Sequence, residues 1–243
     1  VCAQSNTAVD WIAEKLVDRG VPVLRIGNPS RVNDKMLSFT YERRFEGHPA
    51  YTELWGIRKS IREMGNRMRK SSYSEREAAR SRINHLRERA TELEIQINED
   101  LFAGARVIAS TLVSSNHRIL TGRRFTTLFI DEAAQALEAA CWIAIRKADR
   151  VIFAGDHCQL PPTIKCIEAA RNGLEQTLME KVAANKQETV SLLKVQYRMH
   201  QSIMQFSSEW FYQGELQAAP EVTNRGILDL DLPMNWIDTS EME

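Results

Sequence analysis

Two short apolar runs, each ending abruptly in polar side chains, restrict this chain to an α/β architecture. Leu128-Phe129-Ile130 runs into Asp131-Glu132-Ala133-Ala134-Gln135. About twenty residues later Val151-Ile152-Phe153-Ala154 opens into Gly155-Asp156-His157-Cys158-Gln159-Leu160-Pro161-Pro162. Continuous, non-alternating apolar runs of this length read as parallel strands buried on both faces. Such sheets place ligands at the carboxyl ends of their strands, so both runs deliver acids and amides to one edge. Pro161 and Pro162 forbid a helix directly after the second run. A third run, Leu192-Leu193-Lys194-Val195, ends in Gln196-Tyr197-Arg198-Met199-His200. It is expected to add an aromatic face for a base and a fork-shaped cation for phosphate.

The acidic pair admits two readings on residue type alone. In the first, Asp131 holds Mg²⁺ and Glu132 orients or deprotonates a water that attacks a γ-phosphate. In the second, both acids merely cap a following helix, expected over 133–145, whose Trp142, Ile143 and Ile145 are expected in the core. Gln159 reads either as a ligand contact or as an ordinary loop amide. His157 and His200 read as packing or surface histidines rather than metal ligands.

The chain before these runs begins as half of a βαβ unit. Val1-Cys2-Ala3 ends a strand, and Gln4-Ser5-Asn6-Thr7 leads into a helix with Val9, Ile12, Leu16 and Val17 on one face, stopped near Gly20. Val21 to Ile26 supplies the next strand, with Pro22 at its start. From about residue 33 to 104 the period changes. Leu54, Ile57, Ile61, Met64 and Met68, then Ala79, Ile83, Leu86, Ala90, Leu93 and Ile97, recur at alternating spacings of three and four. With a capping box at Ser74 and Glu77, this predicts an antiparallel helical hairpin projecting roughly 40 Å from the sheet domain. Its outer face carries Arg58, Lys59, Arg62, Arg67, Arg69, Lys70, Arg76, Arg80, Arg82, Arg87 and Arg89. That face reads either as a solvated coiled-coil surface or as an arm for phosphates or a protein partner. Beyond Gly104, Arg106 to Thr111 returns to strand and opens into a loop with Ser114 and Ser115.

Composition narrows the partners. The 32 basic and 32 acidic side chains cancel, so any nucleic-acid role rests on local patches. Cys2, Cys141, Cys158 and Cys166 show no paired CxxC spacing, which favours reduced thiols and an intracellular, cytoplasmic setting over a disulfide framework or zinc site. No apolar run approaches membrane-spanning length and no leader is visible. The first residue is not methionine, and the chain is expected to be a piece of a longer one.

These motifs resemble those of the superfamily 1B helicases, the group containing the nonsense-mediated decay and immunoglobulin mu-binding helicases. Asp131 to Gln135 resembles that family's motif II, Gly155 to Leu160 its motif III, Gln196 to His200 its motif IV and Ser5 to Asp10 its motif Ia. The likeness runs to about Gln217. It implies a RecA-like parallel sheet with flanking helices (a P-loop NTPase fold, here incomplete) interrupted by the hairpin. The implied partition is 1–34 and 105–217 for the RecA-like domain, 35–104 for the insertion, and 218–243 for a linker and the first strand, near 234–238, of a second such domain. It further implies an ATPase that uses ATP and Mg²⁺ to move along single-stranded DNA or RNA. Carried over position by position, Asp131 ligates Mg²⁺, Glu132 activates water, and Gln135, Gln159 and Arg198 lie near the γ-phosphate. Asp156 opens the loop that links nucleotide state to strand grip, and Tyr197 stacks on adenine. Ser5, Asn6 and Thr7, with Thr111 and Ser114 at the place of motif Ib, contact the nucleic-acid backbone.

Two departures accompany the likeness. No G-x-x-x-x-G-K-[ST] occurs in the chain, and no second RecA-like domain with its arginine finger follows, so ATP hydrolysis by this chain alone is expected to be negligible. The strand that would carry the phosphate loop is missing from the implied sheet, which exposes an edge. Three activities stay open on the motifs: a helicase motor, a nucleotide-dependent binding switch without unwinding, and a scaffold with a vestigial ATP site.

Overall fold

The structure is a computed structural model that describes residues 1–68, 73–226, 233–234 and 237–240. Two compact units divide the chain, Val1–Lys181 and Val182–Glu243. The first is built on a five-stranded parallel sheet. Its strands are β1 (Cys2–Ala3), β2 (Val23–Ile26), β3 (Val107–Thr111), β4 (Phe125–Asp131) and β5 (Ala148–Phe153), in the order β2-β3-β1-β4-β5. Every pairing in it is parallel. This is the parallel α/β arrangement expected from the apolar runs, and the RecA-like one that the resemblance implies. Helix α1 (Asn6–Val17) connects β1 to β2.

Burial differs from strand to strand. All four residues of β2 and both of β1 are buried. β5 closes one side of the sheet, and Ile152 on it and Phe129 on β4 are 39% and 45% exposed. Against expectation, the apolar runs of β4 and β5 therefore form strands that are not buried on both faces. Beneath α1, Ala3, Val9, Ala13, Val23, Met36 and Ala109 form one core cluster. On the far side of the sheet Leu24, Ile26 and Leu120 form another with Tyr41, Phe102 and Phe125.

Between β2 and β3 the chain makes two short helices, α2 (Asp34–Leu37) and α3 (Tyr41–Glu46), then the hairpin of α4 (Tyr51–Met68) and α5 (Tyr73–Ala103). At about 1.5 Å per residue the 31 residues of α5 reach roughly 45 Å. The expected seam forms: Leu54 packs with Ala90, Leu93 and Ile97, and Ile83 is buried farther out. The side chain of Ser74, and with it the expected capping box, lies outside the described residues, as do Arg69 and Lys70. Leu93 is almost fully buried in this seam, so Leu93→Ala should cost about 2–4 kcal/mol by removing apolar contact and leaving a cavity, read as a lower urea midpoint.

After β4 the structure departs from expectation. The chain makes one 3₁₀ turn at Ala133–Gln135, and helix α6 begins only at Glu138, ending at Ile145. Trp142 is not core: it is 47% exposed, with its indole N–H donating to Glu138 at 3.1 Å. Cys141 and Ala144 fill the buried face instead. Burial pushes the Cys141 thiol up to about 11. The unit continues through α7 (Ile167–Ala169) into α8 (Leu178–Asn185).

The second unit contains β6 (Val195–Gln196), α9 (Gln201–Phe211) and β7 (Gln217–Ala218). β6 and β7 pair with each other as a separate two-stranded sheet. The run at Leu192 is thus not a third strand of the main sheet: Leu193 is 88% exposed, and only two residues are extended and paired. Apolar composition there does not bring strand burial. Residues 235 and 236 of the strand expected near 234–238 lie outside the described residues.

Candidate functional site

Register sets the site. Ala3 of β1 lies opposite Thr111 on one side and Asp131 on the other, so Thr111, Ala3 and Asp131 form a row at the carboxyl edge of the sheet. The polar loops begin directly beyond this row: Ser5 to Thr7 after β1, Ser114 after β3, and Glu132 to Gln135 after β4. Pairing of β4 with β5 continues past the strands, where Ala154 N–H donates to the Ile130 carbonyl at 2.8 Å and Ala133 N–H donates to the Ala154 carbonyl at 2.9 Å. Those two bonds seat the Gly155 loop beside the acidic turn. A Cβ at Gly155 would stand 3.0 Å from the Ala133 nitrogen and 3.1 Å from that of Ala134, so the approach requires glycine.

The acids do not cap a helix. Glu132 sits in the left-handed region (φ 53°, ψ 37°) and its side chain makes no capping bond. For a non-glycine residue that conformation costs on the order of 1 kcal/mol or more and persists where its surroundings impose it. Here the Ala133–Ala154 bond imposes it. Among the described residues neither Asp131 nor Glu132 accepts a hydrogen bond or pairs with a cation, and the side chain of Gln135 is exposed. Two carboxylates held at a strand tip, one half-buried and one exposed, present hard oxygen donors of the kind Mg²⁺ prefers. The donor set therefore fits the expected metal, while the phosphate-cradling loop has no counterpart in the sequence.

The loop after β5 is internally tied. Asp156 accepts from the Cys158 N–H through one oxygen and from the Gln159 side-chain amide through the other, both at 3.0 Å. The Cys158 thiol is pushed up, first by burial and then by the Asp156 charge.

On the nucleic-acid side of the expected site, Ser5 is the N-cap of α1, its hydroxyl accepting from Ala8 N–H at 3.1 Å. Capping and backbone contact are compatible, since the same hydroxyl still has a proton to donate. Ser5→Ala should therefore cost about 1 kcal/mol of stability, read by thermal unfolding. Asn6 faces inward, where its side-chain oxygen accepts from Arg25 at 2.9 Å. Thr7 is exposed. Thr111 and Ser114 join hydroxyl to hydroxyl at 2.9 Å, and Ser114 N–H donates to the Thr111 oxygen, closing a tight turn.

Arg25 and Asp10 are the residues that motif reading missed. Arg25, in the middle of a fully buried strand, pairs with Asp10 at 2.7 Å, donates to its neighbour's carbonyl at Ile26, and holds Asn6. The other Asp10 oxygen accepts from Asn33 N–H at 3.0 Å. A charged residue inside the apolar run Val23-Leu24-Arg25-Ile26 was the available signal, since a buried arginine demands a partner.

Tyr197 and Arg198 lie in the second unit, beyond β6. Tyr197 is 64% exposed, and Gln196 shapes this turn by accepting from the Arg198 and Met199 N–H groups.

Two family models, each described as an AAA domain, match the chain over residues 1–166 and 174–243. The DNA-binding protein SMUBP-2 of Mesocricetus auratus is 35% identical over 98% of this chain, which covers 26% of that protein. The DNA polymerase alpha-associated DNA helicase A of Schizosaccharomyces pombe is 32% identical over 95% of the chain and 34% of its own length. A regulator of nonsense transcripts 1 homolog from Arabidopsis thaliana is 36% identical over 96% of the chain and 18% of its own length. The chain thus spans between a fifth and a third of these relatives.

Proposed function

The chain belongs to the superfamily 1B helicases, whose AAA domain it matches along most of its length, and from that premise we propose that it is the acidic and strand-gripping part of an ATP-driven motor on single-stranded DNA or RNA. The observation that carries this reading is the row Thr111, Ala3, Asp131 at one sheet edge, with two uncommitted acids just beyond it. Backbone-contacting loops and nucleotide-handling acids then share a rigid base less than one sheet wide.

Bound Mg²⁺ and ATP would supply the charge neutralisation and the labile phosphoryl bond. In this reading Asp131 holds the metal from the strand tip, and Glu132, fixed by its left-handed backbone, orients water and takes its proton. Gln135 and Gln159 would lie near the γ-phosphate, and Asp156 accepts a hydrogen bond from the Gln159 amide. Tyr197 offers a face to adenine, and Arg198 a cation to the γ-phosphate. Ser5, Asn6, Thr7, Thr111 and Ser114 position phosphates without reading sequence. The organisation we favour keeps 1–34 and 105–217 as the nucleotide-handling domain, 35–104 as its insertion, and 218–243 as the passage to a further domain. No described helix is long and apolar enough to cross a membrane.

The hairpin adds an arm. Part of its basic face is spent on the hairpin itself, where Arg58 pairs with Glu94 at 2.6 Å and Arg89 with Glu53 at 3.0 Å. Arg62, Arg76, Arg80 and Arg82 remain exposed, and phosphate contact by this group is the part of the reading tested by charge reversal. Binding of single strands should fall and its salt dependence flatten when these four become glutamates; unchanged binding and salt slope would remove the arm from the interface.

The decisive experiment measures ATPase of a longer protein, carrying this chain together with a phosphate-binding loop and the second motor domain, with and without single-stranded DNA and RNA, followed by strand displacement. Stimulated turnover with displacement supports a motor. Stimulated turnover without displacement makes it a nucleotide-dependent binding switch, and absence of turnover leaves a scaffold.

A further inference from the structure

Among the described residues three metal-binding side chains meet outside the acidic turn. Asp156, His157 and Cys158 each bring one donor atom, a carboxylate oxygen, an imidazole nitrogen and a sulfur, all within 4.8 Å of one another. On sequence alone Asp156 is expected to open the loop that links nucleotide state to strand grip, His157 to be a packing or surface histidine and Cys158 a reduced thiol. Their convergence follows from the loop's own bonding: the Cys158 N–H and the Gln159 amide both donate to Asp156, which folds the three consecutive residues around one point.

We infer that Asp156, His157 and Cys158 form a binding site for a soft or borderline divalent cation of the zinc class, distinct from the Mg²⁺ position at Asp131. Zinc takes nitrogen and oxygen at about 2.0–2.2 Å and sulfur at about 2.3 Å, which spaces tetrahedral ligands roughly 3.3–3.8 Å apart. His157 is exposed, so its ring has room to turn toward the other two donors. Thiolate and imidazole select this class of ion against Mg²⁺, which demands oxygen ligands in octahedral geometry. Three protein ligands on a half-exposed loop leave the fourth position to water, so the site is open and reversible rather than a structural knot. The remaining thiols cannot substitute for Cys158 here: Cys2 and Cys141 are buried elsewhere, and Cys166 lies beyond the two prolines.

The consequence rests on the proposed motor reading. The loop is seated against the acidic turn through Ala154 and Gly155, so a cation clasped on residues 156–158 would stiffen the segment whose movement accompanies nucleotide turnover.

Binding itself is tested on the chain as it stands, with cobalt(II) as the probe for zinc, because a thiolate bonded to cobalt gives a charge-transfer absorption. The expected result is one cobalt per chain with that absorption, displaced by zinc and retained in excess Mg²⁺. Cys158→Ser should abolish the absorption. His157→Ala should weaken binding by about tenfold or more, and Cys166→Ser should leave it unchanged. Circular dichroism and thermal unfolding of each variant confirm that the fold is kept. Absence of the band, its survival in Cys158→Ser, its loss in Cys166→Ser, indifference to His157→Ala, or competition by Mg²⁺ would each overturn the site. Because this readout needs no turnover, a motor that fails to hydrolyse ATP would leave the site standing. A site that fails would leave the motor reading standing.

Discussion

Arg25→Leu is expected to destabilise the first unit by about 3–5 kcal/mol, seen as a lower urea midpoint at unchanged slope. The cost comes from the partner left behind. Arg25 is fully buried, and removing its guanidinium strands the Asp10 carboxylate inside the unit with only the Asn33 N–H to satisfy it. An uncompensated buried charge is far more expensive than a missing attraction. Replacing both members should therefore be milder than replacing one: Arg25→Met combined with Asp10→Leu is expected to recover most of the loss. The double variant still lacks the donor that holds Asn6 at 2.9 Å, and so it separates two roles. A stable double variant with weakened binding of single-stranded nucleic acid would show that the arginine positions the loop after β1. Stability and binding that recover together would reduce it to a structural ion pair.

In a longer protein able to turn over ATP, Glu132→Gln should lower kcat by roughly 10²–10⁴-fold while nucleotide affinity changes little. Glutamine keeps the volume and the left-handed backbone but cannot take a proton. Since the native carboxylate has no hydrogen-bond or ion-pair partner among the described residues, the exchange breaks no structural contact, and unfolding should be unchanged. Asp131→Asn should fail differently, through weaker apparent affinity for Mg²⁺ that excess metal partly restores. Near-normal kcat in Glu132→Gln would remove that residue from the chemistry. A loss of stability comparable to the Arg25 variant would return it to a structural role.

The edge strand offers a further contrast between pattern and place. Val151-Ile152-Phe153 reads as a strand buried on both faces, and β5 does form, yet Ile152 and its β4 partner Phe129 are 39% and 45% exposed on one incompletely covered face of the sheet. Apolar content reports how much burial a strand is built for, whereas neighbours report how much it receives. The hairpin shows the opposite case. Its spacing of three and four marked the seam, and Leu54, Ile83, Ala90, Leu93 and Ile97 are its buried positions among the described residues. Heptad spacing is self-sufficient because each helix supplies the other's partner surface within about fifty residues of chain.

What the sequence determined by itself was local and periodic: the parallel strands at 128–131 and 151–153, the hairpin seam, the cap at Ser5, and the motifs that place the chain among the superfamily 1B helicases. These depend on side-chain volume, spacing and backbone preference, which neighbouring residues carry within themselves. Only the tertiary structure decided that Glu132 turns left-handed instead of starting a helix, that the run at Leu192 pairs with β7 outside the main sheet, and that Arg25 reaches Asp10 and Asn6. Each of those outcomes depends on a bond to a residue that the local pattern does not specify. Satisfying a buried carbonyl, charge or strand edge is a demand that the whole chain settles together.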